Sequence, residues 1–168
     1  MLLGVGPIAA QDAGFTERVL ARHNGERANV GVKPLVWDDK LAVAAAAWAR
    51  TLAATRQFEH SPDDPDAAPQ GENLWMGTAG AYSFDDMVDG WIEERRYYRR
   101  GLFPKVTTTR NWADVGHYTQ LIWHTTTRVG CALATGGGND VLVCRYSPAG
   151  NWDGENPVGE TSLASLRP

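Results

Sequence analysis

The sequence predicts an α+β domain built in layers, with helices first and an antiparallel hairpin last. Two observations carry this. Apolar residues recur at helical spacing through the first part of the chain, and two strand-like runs, RVGCALA and VLVCRYS, flank TGGGND near its end. Strands that neighbour each other in sequence, instead of alternating with helices, argue against a repeating βαβ sheet. The chain's 168 residues fit a single domain, assigned to residues 12–168, and an apolar content of 43% suffices for a core. Residues 1–11 (MLLGVGPIAAQ) are set apart as the remnant of a signal peptide or of cloning. They are short and apolar and end in the small residues IAA, but they lack a charged start.

The first helix is expected over about Phe15 to Ala28, with Asp12 or Thr16 as its cap and Gly25 weakening it. The second follows the N-cap candidate Asp38. Leu41, Ala45, Trp48, Ala49 and Leu52 then share one face, and the alanines permit close packing. Residues 60–73, HSPDDPDAAPQGEN, hold three prolines and a glycine and read as a loop. The third helix starts at Ser83, where SFDD has the form of a capping box closed by Asp86. Met87, Trp91, Glu94 and Tyr98 fall on one face of it, while Glu93 points about 100° away. Of two adjacent glutamates, Glu94 therefore faces a site or core and Glu93 faces solvent. A short helix is expected from His117, then the hairpin, then a Gly/Pro/Asn-rich tail, PAGNWDGENPVG, wrapping the surface in turns. Trp37, Trp48 and Trp123 are assigned to the core.

The net charge of −4 gives no basic face of the kind nucleic-acid binders carry. The local exception, EERRYYRRGLFPK, reads as a solvated helix end with its cations favoured by the helix dipole. No apolar run is long enough to span a membrane as a helix. If the hairpin turns at Gly137–Gly138, Cys131 stands opposite Cys144, which suits a disulfide and an oxidising compartment. The alternative is two buried free thiols. These two cysteines alone do not make a zinc site.

Four ionisable residues stand out by context: His60 opening the Pro-rich loop, Glu72 at its end, Glu94 on the aromatic helix face, and His117 leading the apolar run HYTQLIW. Two imidazoles and two carboxylates suit a divalent first-row metal, and they equally suit acid–base chemistry. No His-Glu-x-x-His pair and no nucleophile elbow accompanies them. Spacing alone leaves a scatter of satisfied polar residues as the alternative.

The stretches GHYTQLIW and YSPAGNWDGENPVG resemble the two signatures of the CAP family, also called SCP/TAPS or pathogenesis-related-1, which includes cysteine-rich secretory proteins and venom allergens. HNGERA, LVWDDKLAVAAAAWA, HSP, GENL and WIEE follow in that family's order, so the resemblance covers about Phe15 to Val158. It implies a three-layer α-β-α sandwich around a three- or four-stranded antiparallel sheet. It also implies a central cavity holding His60, Glu72, Glu94 and His117. The resemblance further implies that His60 and His117 can hold a divalent cation, zinc foremost, with the glutamates around them. Asn73, Tyr98, Tyr118 and Gln120 are assigned to the cavity wall, as groups that orient its ligands. His23 and Asn24 belong to a family motif and are given structural roles, a ring nitrogen on a backbone carbonyl and a tie between loops.

Two departures from the family pattern stand out. Plant members carry six cysteines where two remain, and the closing PY reads PVG. The segment GLFPKVTTTRNWA lies where some fungal members carry a loop tied to sterol binding, which makes Phe103, Val106 and Trp112 lipid-contact candidates, against the plainer alternative of a surface loop tacked down by hydrophobics.

Three functions stay open. The first is a secreted module, periplasmic in a bacterial source, that binds a divalent cation and a sterol or fatty-acid ligand. The second is a metal-assisted hydrolase or protease using candidates among His60, Glu72, Glu94 and His117. The third is an extracellular domain with a protein partner and a vestigial cavity. The absence of a convincing nucleophile favours a non-enzyme.

Overall fold

The computed structural model describes residues 13–159. The segment set apart as a remnant, the Asp12 cap candidate and residues 160–168 lie outside the described residues.

Helix α1 spans Ala13–Val30, longer than expected at both ends, so Thr16 lies inside it instead of capping it. A two-residue strand β1 (Val36–Trp37) leads into α2 (Asp39–Thr55). Asp38 caps α2 by accepting the N–H groups of Lys40 and Leu41. Strand β2 (Gly71–Thr78) follows the Pro-rich loop, and α3 (Phe84–Glu93) begins at the Ser83–Asp86 capping box. Short 3-10 turns at Glu94–Arg96 and Trp112–Asp114 precede α4 (Gly116–Ile122). The chain then forms β3 (Arg128–Gly136) and β4 (Asn139–Ser147), which turn at Gly137 and Gly138, both in the left-handed region.

The four strands stand in the order β1-β3-β4-β2. β2, β4 and β3 pair antiparallel, but β1 pairs with β3 in parallel, so the sheet is mixed and not purely antiparallel. Alternation along the strands sends residues to two cores. Val141 and Val143 of β4 pack with Leu74 and Ala132 beneath Ala45, Ala49 and Leu52 of α2. Leu142, Cys144 and Tyr146 face the other way, against Val19, Met87, Trp91, Leu121 and Ile122 of α1, α3 and α4. The result is the α-β-α sandwich. Cys131 and Cys144 are directly opposed and joined, with Cα atoms 4.1 Å apart.

Three expectations need correction. The loop ends before Gly71, so Glu72 and Asn73 sit on a strand that pairing with β4 creates. Helix α3 ends at Glu93, so Tyr98 lies beyond it, in a bridge to Thr107, and not on the helix face. Trp123 is fully buried, but Trp37 and Trp48 are only half-buried, each with its indole N–H on a surface acceptor.

Candidate functional site

His60 sits in the extended stretch after α2. Its Nδ1 lies 2.7 Å from Glu72 Oε1, which also accepts the Ser61 N–H at 3.0 Å. Arg145 stands directly across from Glu72 on β4. Its Nε approaches the other carboxylate oxygen to 3.0 Å but off the hydrogen-bond direction, so this contact is a charge pair. The Glu72 side chain is nearly buried, 6% exposed, whereas the His60 ring is 66% exposed. The hydrogen bond to Glu72 raises the His60 pKa above its ordinary value, against burial and the Arg145 charge. Burial pushes the Glu72 carboxyl up. The His60 hydrogen bond, the Arg145 charge and the Ser61 N–H outweigh it and hold the group below its ordinary value.

The second pair is built differently. Glu94 Oε2 accepts the backbone N–H groups of His117 and Tyr118 at 3.1 and 3.0 Å, and Oε1 lies 2.6 Å from His117 Nδ1. One carboxylate thus satisfies free donors at the start of α4 and fixes the imidazole of that same turn. The ring of Trp91 stacks on His117 at 6.0 Å. Glu93, by contrast, is exposed.

Asn73 joins the two pairs. Its amide Nδ2 donates to the His117 carbonyl at 3.0 Å and to Tyr146 Oη at 3.2 Å. Consecutive residues of β2 therefore fasten both histidines, Glu72 through the ring of His60 and Asn73 through the backbone of His117. Strand alternation sends the Glu72 and Asn73 side chains to opposite faces of β2. Behind Tyr146, His23 completes a buried chain. Its Nδ1 donates to the Val19 carbonyl at 2.8 Å, which leaves Nε2 to accept the Tyr146 hydroxyl at 2.8 Å. Burial lowers the His23 pKa to about 4, with Arg27 adding to the effect against the Val19 hydrogen bond, so the ring is neutral. Asn24 both donates to and accepts from the Leu35 backbone, the tie between loops expected of it.

An open groove of about 880 Å³ runs along the Pro-rich loop and is lined by His60, Glu72, Gln120, Arg145, Asn151 and Trp152. Glu94 and His117 do not line it. Gln120 is buried, with its amide oxygen accepting the Gly150 N–H. Tyr118 is also buried, its hydroxyl on Glu26 Oε1 at 2.9 Å. Tyr98 packs edge-on against Tyr118 and lies outside the groove. Phe103 and Val106 are buried against Val115 and Trp123, while Trp112 is half exposed over Phe103.

Residues 20–146 match the cysteine-rich secretory protein family, CAP. The chain belongs to the CAP family. It is 38% identical to pathogenesis-related protein 1A of Nicotiana tabacum over 82% of this chain and 77% of that protein. It is 34% identical to pathogenesis-related protein 1 of Arabidopsis thaliana over 90% and 86%. Among solved structures, NaASP2 with Zn2+ superposes with a TM-score of 0.72 at 21% identity, over 91% of this chain and 89% of that one. The hookworm platelet inhibitor gives 0.69 at 20% identity, over 89% and 77%. At these identities the structural likeness establishes the CAP fold. Arg145 is the site residue that sequence reasoning missed. The signal was present: it is the one charge in the strand run VLVCRYS.

Proposed function

We propose that this CAP domain is exported to an oxidising compartment and binds a divalent cation through the Nε2 atoms of His60 and His117. The carrying observation is that each imidazole has Nδ1 engaged by a carboxylate. A carboxylate on Nδ1 fixes the tautomer, orients the ring and leaves Nε2 as the basic nitrogen, the arrangement that supports metal-binding histidines. Among the described residues no three His, Cys, Asp or Glu side chains converge on one point. A cation here would therefore be held by the two imidazoles alone, with water filling the remaining positions, and zinc suits such nitrogen ligands. The crystal structure of the fold relative NaASP2 with Zn2+ is consistent with this reading. The Cys131–Cys144 disulfide supports export. Phe103 and Val106 are spent in the core, so the proposal is confined to the cation and does not extend to a sterol or fatty acid.

Protons compete with the cation for Nε2. Because the hydrogen bond to Glu72 raises the His60 pKa, affinity is expected to decline as pH falls through a value above the ordinary 6.5. Zinc titration by calorimetry tests the proposal on the wild type, His60→Ala, His117→Ala and the double variant, with circular dichroism checking the fold. Each single variant should weaken binding and the double should abolish it. A folded double variant that binds zinc as tightly as the wild type overturns the reading.

A further inference from the structure

Residues 95–112 contain six cations, Arg95, Arg96, Arg99, Arg100, Lys105 and Arg110, and no carboxylate, in a chain whose net charge is −4. All six are exposed. The helix dipole accounts at most for Arg95 and Arg96, which lie in the 3-10 turn directly after α3 ends at Glu93. Four of the six lie beyond the 3-10 turn that follows.

The segment is held in a defined frame. Tyr98 bridges Thr107, the Arg99 N–H donates to the Val106 carbonyl at 2.8 Å, and the Thr108 N–H donates to the Tyr97 carbonyl at 2.7 Å. Phe103 and Val106 anchor it from inside. Arg95 is partly committed, to Glu26 at 3.2 Å, and the Asp153–Glu155 tail crosses the segment near Phe103. The charge of Arg96, Arg99 and Arg110 has no ion-pair partner among the described residues, although Asp89 and Glu93 line the same surface hollow as Arg96.

We propose that this face docks an anionic polysaccharide, one carrying sulfate or uronate groups. Five of the six cations are arginines, whose planar forks match sulfate and carboxylate oxygens in pairs. Trp112 is exposed at 48% among them and offers a flat face on which a sugar ring stacks, while the Arg96 guanidinium lies 4.8 Å above the ring of Tyr97. A bilayer fits less well. A membrane-seeking loop turns its apolar side chains outward, and this one buries Phe103 and Val106 and exposes Leu102 alone of its aliphatic residues. An overall acidic chain is repelled by polyanions at long range, so retention on one requires a local patch of this kind.

The experiment is chromatography on immobilised heparin, in EDTA so that no cation bridges protein and matrix, with neutral dextran as blank. It compares the wild type with Arg96→Ser/Arg99→Ser/Arg110→Ser and with Lys33→Ser/Lys40→Ser/Arg50→Ser. The second triple variant removes the same charge from exposed positions elsewhere. In parallel, sedimentation with phosphatidylserine vesicles measures bilayer binding. The wild type and the second variant should be retained alike, and the first variant should bind heparin about tenfold more weakly or worse, as the loss of three exposed charge contacts implies. The inference is overturned if the wild type passes through, if both variants weaken equally, or if vesicles capture the protein more tightly than heparin does. The EDTA condition keeps this result independent of the cation site.

Discussion

The two His–Glu pairs have nearly the same hydrogen bond, 2.7 Å for His60–Glu72 and 2.6 Å for His117–Glu94, but are held in place by different physics. His60 lies on a loop with its ring mostly in water, and charge around a buried carboxylate sets its state. His117 lies in the first turn of a helix whose donors, carbonyl and ring face are all occupied by neighbours. The first pair can adapt its protonation at small structural cost. The second is a fixed point, and disturbing its supports disturbs the fold. A cation held between them would have one adjustable ligand and one rigid one.

That contrast breaks most sharply at Arg27. This fully buried guanidinium donates to the carbonyls of Lys33, Leu121, Trp123 and Thr126, closing the C-terminal end of α4. Burial lowers its pKa to about 10, still high enough to keep the charge. Arg27→Met leaves buried carbonyls unsatisfied and should cost about 4 kcal/mol in urea unfolding. It should also loosen His117 while leaving His60 in place. A loss below about 1 kcal/mol would show that the foundation under α4 is not where the structure puts it.

Acid is the next largest lever, and the two regions respond with opposite sign. His23 has a folded pKa of about 4 against an ordinary 6.5, so the unfolded chain binds the extra proton between these values. Its contribution is complete above pH 6.5 and is lost as pH falls toward 4, a total of about 3 kcal/mol from a shift of that size. Protonated His23 would donate from Nε2, and the Tyr146 hydroxyl that supports Asn73 would lose its acceptor. His60 has a raised pKa, so its contribution is complete below the ordinary value and is lost as pH rises through the folded one. Urea midpoints across pH 4 to 7 should fall on the acid side in the wild type and flatten in His23→Gln. An equally steep fall in His23→Gln would assign the acid sensitivity to other groups.

How much of this was legible in the sequence follows the range of the forces involved. The Ser83–Asp86 box and the Asp38 cap are local and were readable. So was the disulfide register, which follows from a turn at two glycines. Glu94 was separated from Glu93 by helical phase, although α3 stops one residue short of it and a 3-10 turn carries it to His117. The same phase misplaced Tyr98, because beyond Glu93 the periodicity no longer applies. Strand β2 was hidden because GENLWMGT is poor in β-branched residues, and its conformation comes from β4, a tertiary partner. Arg27 acts on groups far off in sequence, which no local pattern reports, and Arg145, although marked as the lone charge of its strand run, gives no local sign that Glu72 is its partner.

The smallest expected effect is the most specific to the pair that adapts. Glu72→Gln keeps the side chain's shape and a hydrogen-bond acceptor for the Ser61 N–H but removes the charge that holds the His60 proton. What then remains beside the ring is the guanidinium of Arg145, which lowers an imidazole pKa. His60 should therefore titrate lower than in the wild type, at or below its ordinary 6.5, when its ring protons are followed by NMR. Zinc binding separates two contributions of the carboxylate. A lower His60 pKa reduces proton competition, whereas loss of the anchored Nδ1 reduces ring order and basicity. If orientation dominates, Glu72→Gln weakens zinc binding even at a pH above the His60 titration followed by NMR, where protons no longer compete; if proton competition dominates, affinity there is unchanged. A His60 pKa that fails to move would place the origin of its shift outside the carboxylate and remove the distinction between the two pairs.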